Sequence, residues 1–241
     1  KKGIRIVFAS GRPPRTMARA IEQVKLDNLM VICCNGAQVL DSHTKTIVKA
    51  FSIPADHVKE IATIIKAKLG DEAFLGAECG SEFKCELGYA VKRGPEAMNH
   101  PHTIIQDPAT EFGTVEKIIV VHKSWPADKL TEYLMSDVFT DEKWRHSITP
   151  TFSSLRFVEI SAANVNKATG LQHLCEKLNI PREQVIAFGD MPNDLEMIRY
   201  AGVGVAMGNA HEEVKALADL ITSNNVDDGV AAVLEKMVEQ L

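Results

Sequence analysis

No apolar run in this sequence comes near the roughly 20 residues that a membrane-spanning helix needs, and no signal-peptide pattern opens it. Neither sign of charge is in large excess: 27 Lys and Arg stand against 32 Asp and Glu, a net charge of -5. That balance leaves no electrostatic footprint for nucleic acid or an anionic membrane surface. Cysteine is scarce too. The five present (Cys33, Cys34, Cys79, Cys85 and Cys175) are odd in number and lack zinc-ligand spacing, so they read as buried or incidental thiols in a reducing cytoplasm. Internal repeats and low-complexity segments are also missing. What remains is a chain of 241 residues, 45% hydrophobic and 24% charged, ordinary for a globular protein with a real core. The length suits one large α/β domain, or a core carrying an inserted second domain.

Strand and helix patterns alternate along it. Ile4–Ala9 reads as a buried strand, and Met17, Ile21 and Val24 stripe a helix from Arg15 to Lys25. Met30–Cys34 is a second buried strand; after Asn35-Gly36, stretches 37–40 and 46–51 form a hairpin. Pro54 opens a helix with Val58, Ile61, Ile64 and Ile65 on one face, stopped at Gly70. From there to Ser154 the texture changes, with strands expected at 73–77, 83–91, 117–121 and 144–148 and a helix at 127–139. Leu155–Ser161 returns to a strand, Lys167 begins a helix bearing Leu171, Leu174, Cys175 and Leu178, and 185–189 is a fully buried strand. Helices at 195–200, 211–218 and 230–241 and strands at 203–207 and 220–222 complete the series. Residues 1–51 and 155–241 are therefore expected to form one doubly wound parallel, Rossmann-like α/β core, with 52–154 an inserted α+β domain.

Ligands of open α/β sheets sit outside the carboxyl ends of the strands, and the polar residues there come under scrutiny. Asp190 follows a buried strand, Pro192 and Asn193 make a turn, and Asp194 stands where it can cap the helix from Leu195. Two carboxylates and an amide at one strand end suit a hard cation beside a phosphate; they suit a capped turn equally well. Ser10, with the amides of Gly11 and Arg12, fits an anion at a helix N-terminus, or a plain cap beside a turn glycine. Asn35-Gly36 is also the preferred two-residue hairpin turn. Lys167, preceded by Asn164 and Asn166 as possible caps, opposes the dipole of its own helix, which a negative group nearby would explain; a lysine there is also commonly just solvated. Gly202, Gly204 and Gly208 imitate a dinucleotide fingerprint but flank a strand, and that reading is rejected. His100 and His102 with Cys79 or Cys85 form no metal pattern.

In their order along the chain, Ser10-Gly11-Arg12-Pro13, Asn35-Gly36-Ala37, Lys167, Gly189-Asp190-x-x-Asn193-Asp194-x-x-Met197, Gly208-Asn209-Ala210 and Asp228-Gly229-Val230 resemble the haloacid dehalogenase superfamily. Within it they look like the Cof-type sugar-phosphatase-like hydrolases. The resemblance implies that 52–154 is the family's cap domain. It implies that Ser10 is the second motif's hydroxyl on the transferring phosphoryl group, with Gly11 beside it, and that Lys167 neutralises the phosphate. Asp190 becomes the acidic magnesium ligand, and Asp194 the second acidic position supporting the metal directly or from behind. Asn193 becomes a phosphate- or substrate-side amide, and Asn35 a polar group near the substrate.

One family feature is absent. No Asp-x-Asp-Gly-Thr or Asp-x-Asp-Gly-Ser occurs in the sequence, and that motif supplies the nucleophile, the acid/base and a further metal ligand. The opening Lys1-Lys2-Gly3 looks like the last turn and terminal glycine of a helix. Together these lead to the expectation that about 30 to 40 residues, a strand and its crossover, precede Lys1, and that this stretch alone is inactive. The implied protein is a cytoplasmic, Mg2+-dependent phosphatase of small phosphorylated metabolites, sugar phosphates first, working through an aspartyl-phosphate under a closing cap. A phosphomutase or phosphotransferase of the same superfamily and a catalytically silent phosphate-binding protein are the alternatives. Nucleic acid and membrane are not expected as partners, and the sequence carries no signature of oligomeric state.

Overall fold

The structure, a computed structural model, describes residues 3–24, 26, 29–80 and 82–240. The Lys1-Lys2 opening and the expected helix end at Lys25 lie outside them. The chain divides into two compact units, Lys1–Val165 and Asn166–Leu241.

The first unit begins with β1 (Val7–Ala9), α1 (Pro14–Val24), β2 (Met30–Cys33), β3 (Gln38–Asp41) and β4 (Thr46–Ala50). β1 and β2 pair in parallel across the helix that joins them, and β3 and β4 extend the sheet antiparallel, in the order β1-β2-β3-β4. Met17 packs with Leu29, Val31, Cys33 and Leu40, and Ile21 lies against that cluster, so the apolar stripe of α1 faces the sheet; Val24 is exposed. Asn35-Gly36 is not a two-residue hairpin turn. Cys34–Gly36 forms a single 3-10 turn in which Cys34, Asn35 and Gly36 all take left-handed φ, 50°, 55° and 99°.

The unit continues with α2 (Ala55–Leu69), β5 (Ala73–Cys79), β6 (Glu82–Glu86), α3 (Leu87–Ala97), β7 (Thr103–Ile105), α4 (Pro108–Glu111), β8 (Lys117–His122), α5 (Ala127–Tyr133), α6 (Glu142–Arg145), β9 (Ile148–Ser154) and β10 (Phe157–Ala162). Its strands make a second sheet in the order β7-β6-β5-β8-β10-β9, antiparallel except for β6 with β7. Three expectations give way here. Residues 87–91 continue as helix: a strand would set Leu87, Tyr89 and Val91 on one face, whereas α3 buries Tyr89 against Phe83 and leaves the other two exposed. Trp144 belongs to α6, whose start is capped by Asp141 accepting from the Lys143 amide at 3.0 Å. The strand expected to return to the parallel core at Leu155 is β10, laddered between β8 and β9, so the antiparallel sheet runs eight residues past the expected boundary at 154, to Ala162. Val158, Glu159, Ile160 and Ser161 are all buried, as in any interior strand, and that pattern does not reveal which sheet claims it.

The second unit alternates without exception: α7 (Lys167–Leu178), β11 (Ile186–Gly189), α8 (Leu195–Tyr200), β12 (Val203–Ala206), α9 (Glu212–Leu217), β13 (Leu220–Ile221) and α10 (Gly229–Gln240). Its strands are parallel, in the order β11-β12-β13. The mixed α/β architecture with parallel pairing expected from the sequence is present, in β1 with β2 and in β11 to β13. Among the described residues no helix is long and apolar enough to cross a membrane.

Candidate active site

The candidate residues of the first unit gather in the loop that leaves β1. The Ser10 amide adds one more rung to the ladder, donating to the Ile32 carbonyl at 2.8 Å. Beyond it each carbonyl is taken in turn: Ser10 C=O accepts from the Asn35 amide (3.1 Å), Arg12 C=O from the Cys34 amide (3.0 Å), and Gly11 C=O from Lys117 Nζ (2.5 Å). The Arg12 amide donates to Ser10 Oγ at 3.1 Å. A hydroxyl that accepts one bond keeps its own hydrogen to give, so Ser10 can donate to an anion. Two successive non-glycine residues in the left-handed region, Cys34 and Asn35, cost of order ~1–3 kcal/mol each. They persist because their amides are the ones that hold the loop. Gly11 is required by proximity: a Cβ there would lie 3.0 Å from Asn35 Oδ1 and 3.2 Å from both Ser153 Oγ and Glu159 Oε1.

Behind this loop stands an ion pair that sequence reasoning missed. Lys117 Nζ meets Glu159 Oε1 at 2.6 Å with both side chains almost wholly buried, and Ser153 Oγ donates to the other carboxylate oxygen at 2.5 Å. Burial opposes each charge; Glu159 outweighs it for Lys117 and holds the amine above its ordinary pKa. The Lys117 ammonium, with hydrogen bonds from Lys117, Ser153 and Asn35, likewise keeps Glu159 below its ordinary value. The signal in the sequence is a charge set in an apolar run, Lys117 before Ile118-Ile119-Val120-Val121 and Glu159 between Val158 and Ile160. Arg15 and Glu78 make a further pair, both guanidinium Nη atoms meeting both carboxylate oxygens.

In the second unit Lys167, Asp190, Asn193 and Asp194 come together at the carboxyl end of β11. Asn166 opens α7 with a reciprocal cap, its side chain accepting from the Thr169 amide (3.1 Å) while its own amide donates to Thr169 Oγ1 (3.3 Å). Lys167 follows as the first helical residue, buried, with Nζ 2.5 Å from Asp194 Oδ1. This is the negative group that a lysine at a helix N-terminus calls for. The other Asp194 oxygen accepts from the Asp190 and Met191 amides, both at 3.0 Å. One carboxylate thus fixes the amine and the loop together. Gly189 makes room for it: a Cβ there would lie 2.5 Å from Asp194 Cβ. Asp190 carries no such set of bonds. Burial, reinforced by the neighbouring Asp194 charge, raises its pKa against the pull of Lys167, which marks a carboxylate that a cation would stabilise. Asn193 is buried in the 3-10 turn between the two aspartates. Among the described residues no group of three or more His, Cys, Asp or Glu is disposed to hold a metal.

A family model described as haloacid dehalogenase-like hydrolase matches residues 1–234. A 5-amino-6-(5-phospho-D-ribitylamino)uracil phosphatase of Bacillus subtilis, YcsE, is 29% identical over 237 residues, 98% of this chain and 83% of that protein. A second B. subtilis phosphatase of the same description, YitU, is 28% identical over 246 residues, 96% of this chain and 84% of its own. Among solved structures, a haloacid dehalogenase-like hydrolase from Bacteroides thetaiotaomicron superposes with a TM-score of 0.76 at 29% identity, covering 98% of this chain and 87% of that one.

Proposed function

The chain belongs to the haloacid dehalogenase-like hydrolase family, and from that premise we propose that it is a cytoplasmic Mg2+-dependent phosphatase whose substrate is a sugar or polyol phosphate. It is a phosphoric monoester hydrolase of small phosphorylated molecules. The observation that carries the finer reading is the buried Lys167–Asp194 pair at the end of β11 with Asp190 beside it: a fixed positive charge, positioned before substrate arrives, next to a carboxylate with bonding capacity to spare. Both B. subtilis relatives are named for a ribityl phosphate ester, and this favours a polyhydroxylated leaving group.

Phosphoryl transfer asks a protein for positioning and charge neutralisation more than for covalent chemistry. In this reading Lys167 neutralises a phosphoryl oxygen and Asn193 offers its amide beside it, while Ser10, in the first unit, has a hydroxyl hydrogen to give to an anion. Asp194 acts on Lys167 and on the 190–191 backbone, already bonded through both oxygens. The donors that remain suit magnesium, which takes one or two carboxylates and fills its octahedron with water and phosphate oxygens; Asp190 would hold it, with Asp194 behind. When bound, the ion would polarise the phosphoryl group. An aspartate carboxylate would attack phosphorus as the ester P–O bond breaks, a second acid would give the leaving alkoxide its proton, and water would then cleave the acyl phosphate to restore the aspartate and release phosphate; neither acid is assigned to a residue of this sequence. The sequence contains no Asp-x-Asp-Gly-Thr, and the part that falls to Ser10, Lys167 and Asn193 is to hold the phosphate. The antiparallel sheet and its helices, from about residue 52 onward, form the cap that selects the substrate.

The test is turnover of ribitol 5-phosphate and related esters by the purified protein, with and without magnesium, alongside Asp190→Ala. Activity that needs the metal and falls at least a hundredfold in the variant is expected. Turnover in chelator, or an Asp190→Ala enzyme as active as its parent, overturns the assignment.

A further inference from the structure

Of the three carbonyls in the Ser10–Arg12 loop, two are held by backbone amides of the left-handed turn at 34–35 and the third by a side chain from the antiparallel sheet. That third donor is Lys117 Nζ, 2.5 Å from the Gly11 oxygen, on a residue 2% exposed. A buried ammonium needs strong compensation to stay charged. Glu159 supplies it, and Glu159 is in turn fixed by Ser153 and by the Asn35 side chain. Asn35 closes the circuit, since its own amide holds the Ser10 carbonyl. The loop therefore has no carbonyl left to rotate, and the Ser10 hydroxyl inherits that fixity: its oxygen is bonded to the Arg12 amide, so the direction of its hydrogen follows the loop.

We propose that Lys117 and Glu159 are positioning residues for phosphoryl transfer, a buried ion pair on β8 and β10 that fixes the Gly11 carbonyl and thereby aims the Ser10 hydroxyl. The proposal rests on the reading of Ser10 as a phosphate-binding hydroxyl. Neither residue touches the phosphate; both act through the loop. A group that stabilises the transition state more than the ground state shows its loss in kcat and spares KM.

Removing one partner would strand a buried charge, so the variant of choice is Lys117→Met with Glu159→Gln, in which the amide still accepts from Ser153. Kinetics use 4-nitrophenyl phosphate with magnesium, with thermal unfolding to confirm the fold, in four proteins: parent, the pair variant, Ser10→Ala, and the combination. The expected result is a kcat lowered 10- to 100-fold in the pair variant with KM within threefold. In the Ser10→Ala background the pair variant should cost less than a further twofold, because the hydroxyl it aims is gone. An undiminished kcat, a loss confined to KM, or full additivity with Ser10→Ala overturns the positioning role. If Ser10→Ala is itself as active as the parent, the assignment of Ser10 fails first, and this proposal fails with it. Should the pair variant not fold, Ser153→Ala, which loosens Glu159 and leaves both charges paired, is judged by the same criteria.

Discussion

A lysine at the first position of a helix meets the positive end of the peptide dipole, and burying it adds a desolvation cost. Lys167 stays there because Asp194 meets it at 2.5 Å, and the arrangement is lopsided in a way that can be measured. Lys167→Met leaves Asp194 with two amide donors, whereas Asp194→Asn leaves a buried ammonium facing a neutral group. Denaturant unfolding is expected to show Asp194→Asn losing about 3–5 kcal/mol, as when one partner of a buried pair is removed, and Lys167→Met losing clearly less. Both should reduce kcat by about 10²–10³, the scale of a lost transition-state contact. Equal stability losses would mean that the amides do little for the carboxylate. Gly189 tests the same carboxylate from the other side. The clash of an added Cβ is with the Asp194 side chain, so Gly189→Ala should cost about 1–3 kcal/mol of stability as overpacking does and lower activity by moving Asp194. From its place in the chain the lysine read equally as solvated or as facing an anion. That the anion would be Asp194, and not a ligand alone, was not legible, because spacing does not reveal which way a carboxylate folds back.

Elements with strong end signals are legible in the sequence. Pro54 and Gly70 bracket α2, Asn166 caps α7, and β11 to β13 fall where apolar runs meet glycine and aspartate. Errors concentrate in the antiparallel sheet, where short strands alternate with short helices and each run is compatible with either state. Tyr89 decided for helix by packing on Phe83, a contact between residues on separate elements that no local pattern encodes. Between β8 and α5 lies a turn whose integrity depends on protonation. His122 is buried and stacks on Trp125 at 4.2 Å, and its Nδ1 accepts from the Ser124 and Trp125 amides, both at 3.1 Å. Burial first, with Lys129, Lys92 and Lys123 nearby and Glu72 opposing, lowers its pKa from 6.5. The unfolded chain therefore binds the proton more readily, and stability rises with pH across that interval. The contribution is complete above the unfolded value and is lost as pH falls from about 6.5 through the folded value. Melting curves between pH 5 and 8 should show the parent losing more than His122→Asn, whose side-chain oxygen keeps the acceptor without the titration. Parallel pH dependence in the two proteins would sink this account.

For the molecule as a whole, the sequence order of weak signals was more informative than any one of them. Ser10, Asn35, Lys167, Asp190, Asn193 and Asp194 come from four separate strand ends or helix starts, in two units of the chain, and each has an ordinary structural use. What distinguishes a phosphate-handling site from a set of caps is whether ligand binding draws on them together, and mass action makes that visible without catalysis. A ligand that binds only the folded state stabilises it by RT ln(1 + [L]/Kd), about 2.7 kcal/mol at a hundred times Kd. Magnesium is expected to raise the melting temperature of the parent in proportion to the logarithm of its concentration and to leave Asp190→Asn unmoved. Inorganic phosphate should add a second increment that Lys167→Met abolishes. A phosphate increment that survives Lys167→Met would mean that the lysine is held there for structure alone.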